Sequence, residues 1–349
     1  MIDWSPVQRV CVLMPTWIGD VCMATPTLRL LRDRLPEDAS IIAAMRPGMT
    51  PLLQGLPWLD DIIECDPRGL AGPWRAGSRL AAVKPDAILV LPGSWRSALT
   101  ARLSGARKRI GYARDARGWL LTDAVKPPDR SQPVATIAWY AQLVDPTTEA
   151  GLPEFAVTDS DRADAAEVLP PHFKHYAVLV PGANRTDKRW PAERFVEIAN
   201  RLHSSRGWSI VVAGGPSEQS LCGEVASACA GPVVDLAAAG SSLGALKAIV
   251  AEAQLMITND TGPRHVAIGL GTPVVSLFGP TDHRWTLMPE ANECRLLAEP
   301  FLPESLVADR CAAACAIDRI TIEDVYQATW LVRPPDDGAS APTRPRPAA

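Results

Sequence analysis

Apolar residues along this chain gather in short continuous runs bounded by Gly, Pro and Asp. In the first half the runs are VCVLMP (Val10 to Pro15), SIIAAM, DIIEC and DAILVLPG. In the second half they are YAVLVPG (Tyr176 to Gly182), WSIVVAGG, PVVDL, LMITND and TPVVSLFGP. The runs do not alternate apolar with polar, which is the pattern of strands buried on both faces. Helical patterns fill the intervals between them. Strands alternating with helices predict an α/β protein with parallel sheets and right-handed crossovers. The stretch from Asp145 to His172 is rich in Pro, Asp and Glu and reads as a linker.

The two halves also echo each other. VCVLMPTWIGDVCMATPTLRLLRDRL reads as strand, Pro, loop and helix, and YAVLVPGANRTDKRWPAERFVEIANRL repeats that order. Any pair of strand-loop-helix units shares some of this. It fits two Rossmann-like domains facing each other over a cleft, with ligands at the carboxyl ends of the strands.

Composition narrows the classes. The chain has 349 residues, 47% hydrophobic and 21% charged, which is long for one domain and comfortable for two. A net charge of −4 gives no sign of a nucleic-acid partner. Eight cysteines are scattered without a Cys-x-x-Cys pair, which predicts free thiols in a reducing cytosol. The run VCVLM is too short for a signal peptide, and no run approaches the roughly 18 apolar residues of a membrane span. Cys311 and Cys315 stand four apart, with Cys294 upstream, but no second ligand pair accompanies them, so no metal site is expected.

Two stretches carry candidate chemistry. In MITNDTGPRHVAIGLGTPVVSLFGPTD, Asp260 ends a strand, Thr261 and Gly262 turn the chain, and Pro263 opens a helix. Gly262 permits close approach to the backbone, the free N–H groups of the first helical turn suit an anion such as phosphate, and His265 adds a ring N–H. Equally, Asp260 and Thr261 could simply cap the helix, with His265 packed beside it. The second stretch, PGANRTDKRWP, brings Arg185, Lys188 and Arg189 to the carboxyl end of a strand expected in the same sheet. Three cations beside a helix N-terminus suit a diphosphate. A solvated basic loop, partly offset by Asp187, is the alternative.

These stretches, together with TWIGDVCMATPTLRLL and LPGSWRSALTARLSGARKRIGY, resemble motifs of the lipopolysaccharide heptosyltransferases, glycosyltransferase family nine. The similarity runs in order from about Val10 to Trp330. It implies a GT-B fold and an inverting transfer of heptose from ADP-heptose to the inner core of lipopolysaccharide, with no cofactor. It implies an acceptor-binding domain over 1–160, a donor domain over 170–315, and a helix at 316–334 crossing back to the first domain. The Pro- and Ala-rich tail, 335–349, reads as disordered. By the resemblance Asp20, in TWIGDV, is the catalytic base. Lys188 holds the diphosphate, joined by Arg189 from the same loop. Asp260, Thr261, Gly262 and His265 form the phosphate turn, and Glu218 meets the ribose or adenine side. An N-cap role for Asp20 stays open. Capping would lower its pKa, whereas desolvation would raise it.

For the acceptor, Arg96, Arg102, Arg107, Lys108, Arg109, Arg114 and Arg117 crowd a short span opposed only by Asp115. Such a patch suits phosphorylated inner core and an anionic membrane surface, placing the enzyme in the cytoplasm or peripherally on the inner membrane face. A solvated helix face accounts for the same run, and no single arginine is assigned. A family-nine transferase using another nucleotide sugar, or a non-catalytic nucleotide- or glycan-binding relative, remains open.

Overall fold

Burial on both faces decides the architecture. The computed structural model describes residues 2–128, 134–298 and 315–332. They form two units, one of residues through Thr158 with Arg284–Met288, the other from Asp159 to His283 and onward from Pro289. The first unit holds β1 (Arg9–Leu13), β2 (Ser40–Met45), β3 (Asp61–Glu64), β4 (Ala87–Val90), β5 (Lys108–Tyr112) and β6 (Asp123–Val125). All pair in parallel, in the order β3-β2-β1-β4-β5-β6. The second unit holds β7 (Tyr176–Val180), β8 (Ser209–Val212), β9 (Val233–Asp235), β10 (Leu255–Asn259), β11 (Val274–Phe278) and β12 (Glu293–Leu297). Its order, β12-β11-β10-β7-β8-β9, is the same arrangement, again wholly parallel. In each sheet the strand order reverses beside the first strand, between β1 and β4 and between β7 and β10. That reversal leaves a crevice at the carboxyl ends, where doubly wound sheets bind ligands.

Nine of the strands coincide with the apolar runs of the sequence. The other three, β5 (KRIGY), β6 (DAV) and β12 (ECRLL), carry charged residues in place of a continuous apolar run. Strands β6 and β12 lie at sheet edges, and β12 is only half-buried throughout. β5 is held by pairing to β4, Leu89 opposite Ile110, despite its two leading cations.

The stretch expected as a linker contains a helix. α5 (Asp159–Val168) packs on α8 (Leu243–Glu252) in the second unit. Its polar composition hid it, because its one buried residue is Asp161. That carboxylate lies 2.8 Å from Lys247 Nζ, with both side chains almost wholly buried. Gly244 makes the approach possible, since a Cβ there would sit 2.4 Å from Asp161 Oδ1. These aspartates form the triplet Asp159-Ser160-Asp161, whose buried member serves the ion pair.

The last described helix, α10 (Ile322–Leu331), also departs from expectation. Val325, Ala328 and Val332 join the second unit's core with Phe195, Ile198 and Leu277. Thr321 caps it, and Arg206 donates to Thr329 Oγ1 at 2.9 Å. Its apolar face thus packs into the core of the second unit. The segment that does join the first unit is Arg284–Met288.

Among the described residues the cysteines form no disulfide and are mostly buried, and Cys311 lies outside the described residues, as does the tail expected to be disordered. Among the described residues no cluster of three or more His, Cys, Asp or Glu could hold a metal ion, and no helix is long and apolar enough to cross a membrane.

Breaking the Asp161–Lys247 pair should strand a buried charge. Asp161→Ala is expected to destabilise the chain by about 3–5 kcal/mol in denaturant titration, and adding Lys247→Met should recover most of that loss.

Candidate active site

The first crevice is built from β1 outward. After Leu13 the chain runs through Pro15 and Thr16 into α1 (Ile18–Arg34), whose N-cap is Trp17 with no side-chain hydrogen bond. Asp20 therefore sits in the first turn but is not the cap. Its carboxylate fronts a cavity of about 230 Å³ shared with Tyr112, Arg114, Trp139, Tyr140 and Trp285. Burial raises the Asp20 carboxyl above its ordinary range, and a hydrogen bond from Tyr140 opposes part of that shift. A half-desolvated carboxylate beside a cavity is a competent proton acceptor.

The basic span divides on folding. Arg117 is fully buried and donates to carbonyls of Tyr112 at 3.0 Å, Pro92 at 2.6 Å and Ser94 at 2.9 Å. Burial pushes its guanidinium down to about 10, still protonated at neutral pH. Arg109 donates to the carbonyls of Leu120 and Ala106. Both hold the fold. Arg114 instead lines the cavity, its guanidinium 5.7 Å from the Trp139 ring centroid. Between them Asp115 and Ala116 adopt φ of 50° and 54°, a left-handed pair that costs non-glycine residues about 1–2 kcal/mol each. The buried Arg117 anchors that turn and so fixes where Arg114 emerges.

The second crevice is built around Asn259, the last residue of β10. Its Nδ2 donates to Pro181 O at 2.8 Å, and its Oδ1 accepts from the Trp190 backbone N–H at 3.1 Å. One buried side chain thereby ties the loop after β7 to the end of β10. Across that tie Lys188 Nζ lies 3.0 Å from Asp260 Oδ2, which also accepts from Thr281 Oγ1 at 3.3 Å. Burial alone would raise the Asp260 carboxyl, but Lys188 and Arg264 outweigh it and hold it below its ordinary value. Of the loop's other cations, Arg185 pairs with Asp187 at 2.6 Å, and Arg189 Nε donates to Ala183 O at 2.9 Å.

α9 (Gly262–Leu270) starts one residue earlier than expected, with Thr261 as N-cap, Gly262 first and Pro263 second. The Thr261 side chain accepts no cap bond, while its carbonyl accepts from the Arg264 N–H at 3.2 Å, so among the described residues no side chain caps this helix end. Arg264 is buried over the Phe278 ring and makes a two-pronged pair with Glu293, at 2.6 and 2.9 Å. His265 is buried, and among the described residues its Nδ1 has no hydrogen-bond partner. Burial, aided by Arg264, pushes its pKa down to about 3, so the ring is neutral. Glu218 Oε2 accepts from the Gly215 N–H at 2.8 Å. Its carboxylate packs on Gly182, where a Cβ would sit 2.1 Å from Oε1. Lys188, Glu218 and Asp260 to His265 thus gather at the carboxyl ends of β7, β8 and β10, whereas Asp20 belongs to the first unit.

The chain matches the model of glycosyltransferase family 9 (heptosyltransferase) over residues 74–304. The chain belongs to glycosyltransferase family 9. It is 28% identical to lipopolysaccharide heptosyltransferase 3 of Escherichia coli over 283 residues, covering 76% of this chain and 82% of that protein. It is 26% identical to lipopolysaccharide heptosyltransferase 2 of Escherichia coli K12 over 310 residues, 83% and 88% of the two chains. Among solved structures it resembles the family 9 glycosyl transferase of Veillonella parvula, with a TM-score of 0.80, 22% identity and coverage of 94% and 97%. Against E. coli ADP-heptose LPS heptosyltransferase II the TM-score is 0.78, at 23% identity and coverage of 92% and 97%. These structural likenesses carry the fold, which is the GT-B arrangement of two parallel-sheet units. The family match spans Lys188, Glu218 and the Asp260 turn but not Asp20, which rests on its own motif and surroundings.

Four residues of this glycosyltransferase were not singled out from sequence: Asn259, Arg264, Tyr140 and Arg114 by itself. Asn259 and Arg264 stood inside the quoted motif, and their partners 29 to 78 residues away gave no local signal. Tyr140 lies in a segment without any motif.

The neutral His265 has a pH signature. Its folded pKa of about 3 lies below the unfolded value of about 6.5, so between those values the unfolded chain binds the extra proton. Stability should therefore rise with pH through that window, by up to about 1.4 kcal/mol per unit, and be flat in this respect above it. Asp260, with a depressed pKa, acts only below about pH 4. Urea titrations of the parent and His265→Gln between pH 4.5 and 7.5 should differ in slope below 6.5 and run parallel above.

Proposed function

We propose that this chain is an inverting heptosyltransferase that moves heptose from ADP-heptose to the inner core of lipopolysaccharide. The observation that carries the reading is the placement of two different charge environments at equivalent points of two equivalent sheets. At the first strand-order reversal stands a desolvated carboxylate, Asp20, with its pKa raised. At the second stand an ammonium, Lys188, and an uncapped helix N-terminus. The first suits removal of a proton from an acceptor hydroxyl. The second suits a diphosphate gaining negative charge as it leaves.

In this reading the acceptor oxygen attacks the anomeric carbon of the donor while its proton passes to Asp20. The bond from that carbon to the diphosphate breaks, and ADP departs with the electron pair. Lys188, held by Asp260, faces the diphosphate, and Arg189 lies in the same loop. Thr261, Gly262 and His265 supply the phosphate turn, and Glu218 meets the nucleoside. The heptosyltransferase names of the relatives support the donor and acceptor. Arg114 is the cation of the basic span placed to meet an acidic group of the acceptor. A lipid-anchored acceptor makes the cytoplasmic membrane face the place of work, with the protein bound peripherally.

The test is transfer from ADP-heptose to heptose-deficient lipopolysaccharide, read beside ADP titration. Asp20→Asn should lower kcat by about 10²–10⁴-fold while ADP binds as to the parent. Lys188→Ala should weaken ADP about 10–100-fold and AMP much less, as expected for a charge-assisted contact to the distal phosphate. ADP binding without turnover by the parent would mark a binding relative. Turnover only with another nucleotide sugar would replace the donor.

A further inference from the structure

We propose that Tyr140 is the positioning residue of the proton-accepting carboxylate, donating its hydroxyl hydrogen to one oxygen of Asp20 so that the other faces the acceptor hydroxyl. The proposal rests on the reading of Asp20 as the base. It goes further by naming what holds that base.

Three observations converge. First, α4 (Thr136–Ala141), which carries Tyr140, packs along α1, which carries Asp20. Both side chains line the same cavity. Second, Tyr140 is 7% exposed, and a buried phenol needs a partner for its O–H. Asp20 is that partner. Third, the phenol stays a donor. Burial and then the Asp20 charge hold its pKa well above the ordinary value, so at working pH it carries its hydrogen and accepts no proton from substrate.

The consequence is geometric and electrostatic. Asp20 is not engaged in capping α1, so nothing in its own helix turn fixes its rotamer. A single fixed donor does so, and a carboxylate has two oxygens. Among the described residues, the other ionisable groups near Asp20 are Arg114, from the loop after β5, Tyr112 at the end of β5, and Cys22 in α1. The Arg114 guanidinium is stacked on Trp139, the residue preceding Tyr140, and the Tyr112 hydroxyl donates to Trp139 O at 2.7 Å. The Cys22 thiol is fully buried and neutral, its pKa raised by burial. Tyr140 is the group hydrogen-bonded to Asp20. In the transfer the acceptor proton goes to the free Asp20 oxygen, and Tyr140 keeps its own hydrogen throughout.

Tyr140→Phe keeps the ring and removes the donor. It should lower kcat about 10–100-fold, less than the roughly 10²–10⁴-fold of a positioned acid–base group itself, with KM for ADP-heptose within about twofold. Losing a hydrogen bond to the ionised form favours the neutral form, so the acid limb of the kcat–pH profile should move up by roughly one pH unit. A difluorotyrosine at position 140, a stronger donor of the same shape, should move that limb down. An acid limb that stays with the parent's in both variants overturns the proposal. Failure of the base reading shows separately, as turnover retained in Asp20→Asn. If Tyr140→Phe does not fold, the difluorotyrosine chain still decides by the direction of its shift.

Discussion

A parallel sheet covered on both faces has no free surface except its two ends, and that constraint orders everything else in this chain. β1, β4, β7 and β10 are buried along essentially their whole length, so their side chains are committed to packing. Every strand runs the same way, so every loop after a strand opens on one edge. Reversal of strand order beside β1 and beside β7 spreads two neighbouring loops apart. The first turn of α1 with Asp20 and the loop with Arg114 in one unit, and the loops with Lys188 and Asp260 in the other, lie at or beside those openings.

The two aspartates show how environment divides one side chain into two roles. Asp20 shares its cavity with aromatic side chains and Arg114, takes a hydrogen bond from the neutral Tyr140, and has its carboxyl raised by burial. Asp260 is at least as buried, yet Lys188 and Arg264 hold it ionised. Arg264 in turn is kept in place by Glu293, which also accepts from Ser276. A buried charge persists only inside such a chain of partners. Asp260 is accordingly tied into an ionic frame with Lys188 and Arg264, whereas Asp20 has burial as the main influence on its carboxyl. Arg114 and Arg117 divide in the same way, one anchored among carbonyls and the other left at the cavity.

By itself the sequence determined the fold class, because continuous apolar runs separated by helical patterns satisfy their backbone groups and bury their faces only as parallel sheets. It also marked where candidate residues gather, since Gly-Asp and Asn-Asp-Thr-Gly-Pro each stand where an apolar run gives way to a helix. What it could not carry were contacts between distant segments. The polar α5 exists because Asp161 meets Lys247 through the gap left by Gly244. α10 joins the second unit because its apolar face meets α6 (Ala192–Arg206) and β12, as no local pattern specifies. Which cation of seven reaches a cavity, and that Tyr140 meets Asp20 from 120 positions away, were decided only when the chain closed. A local pattern fixes which face of an element is apolar; the partner of a buried charge or hydroxyl is fixed by packing across the fold.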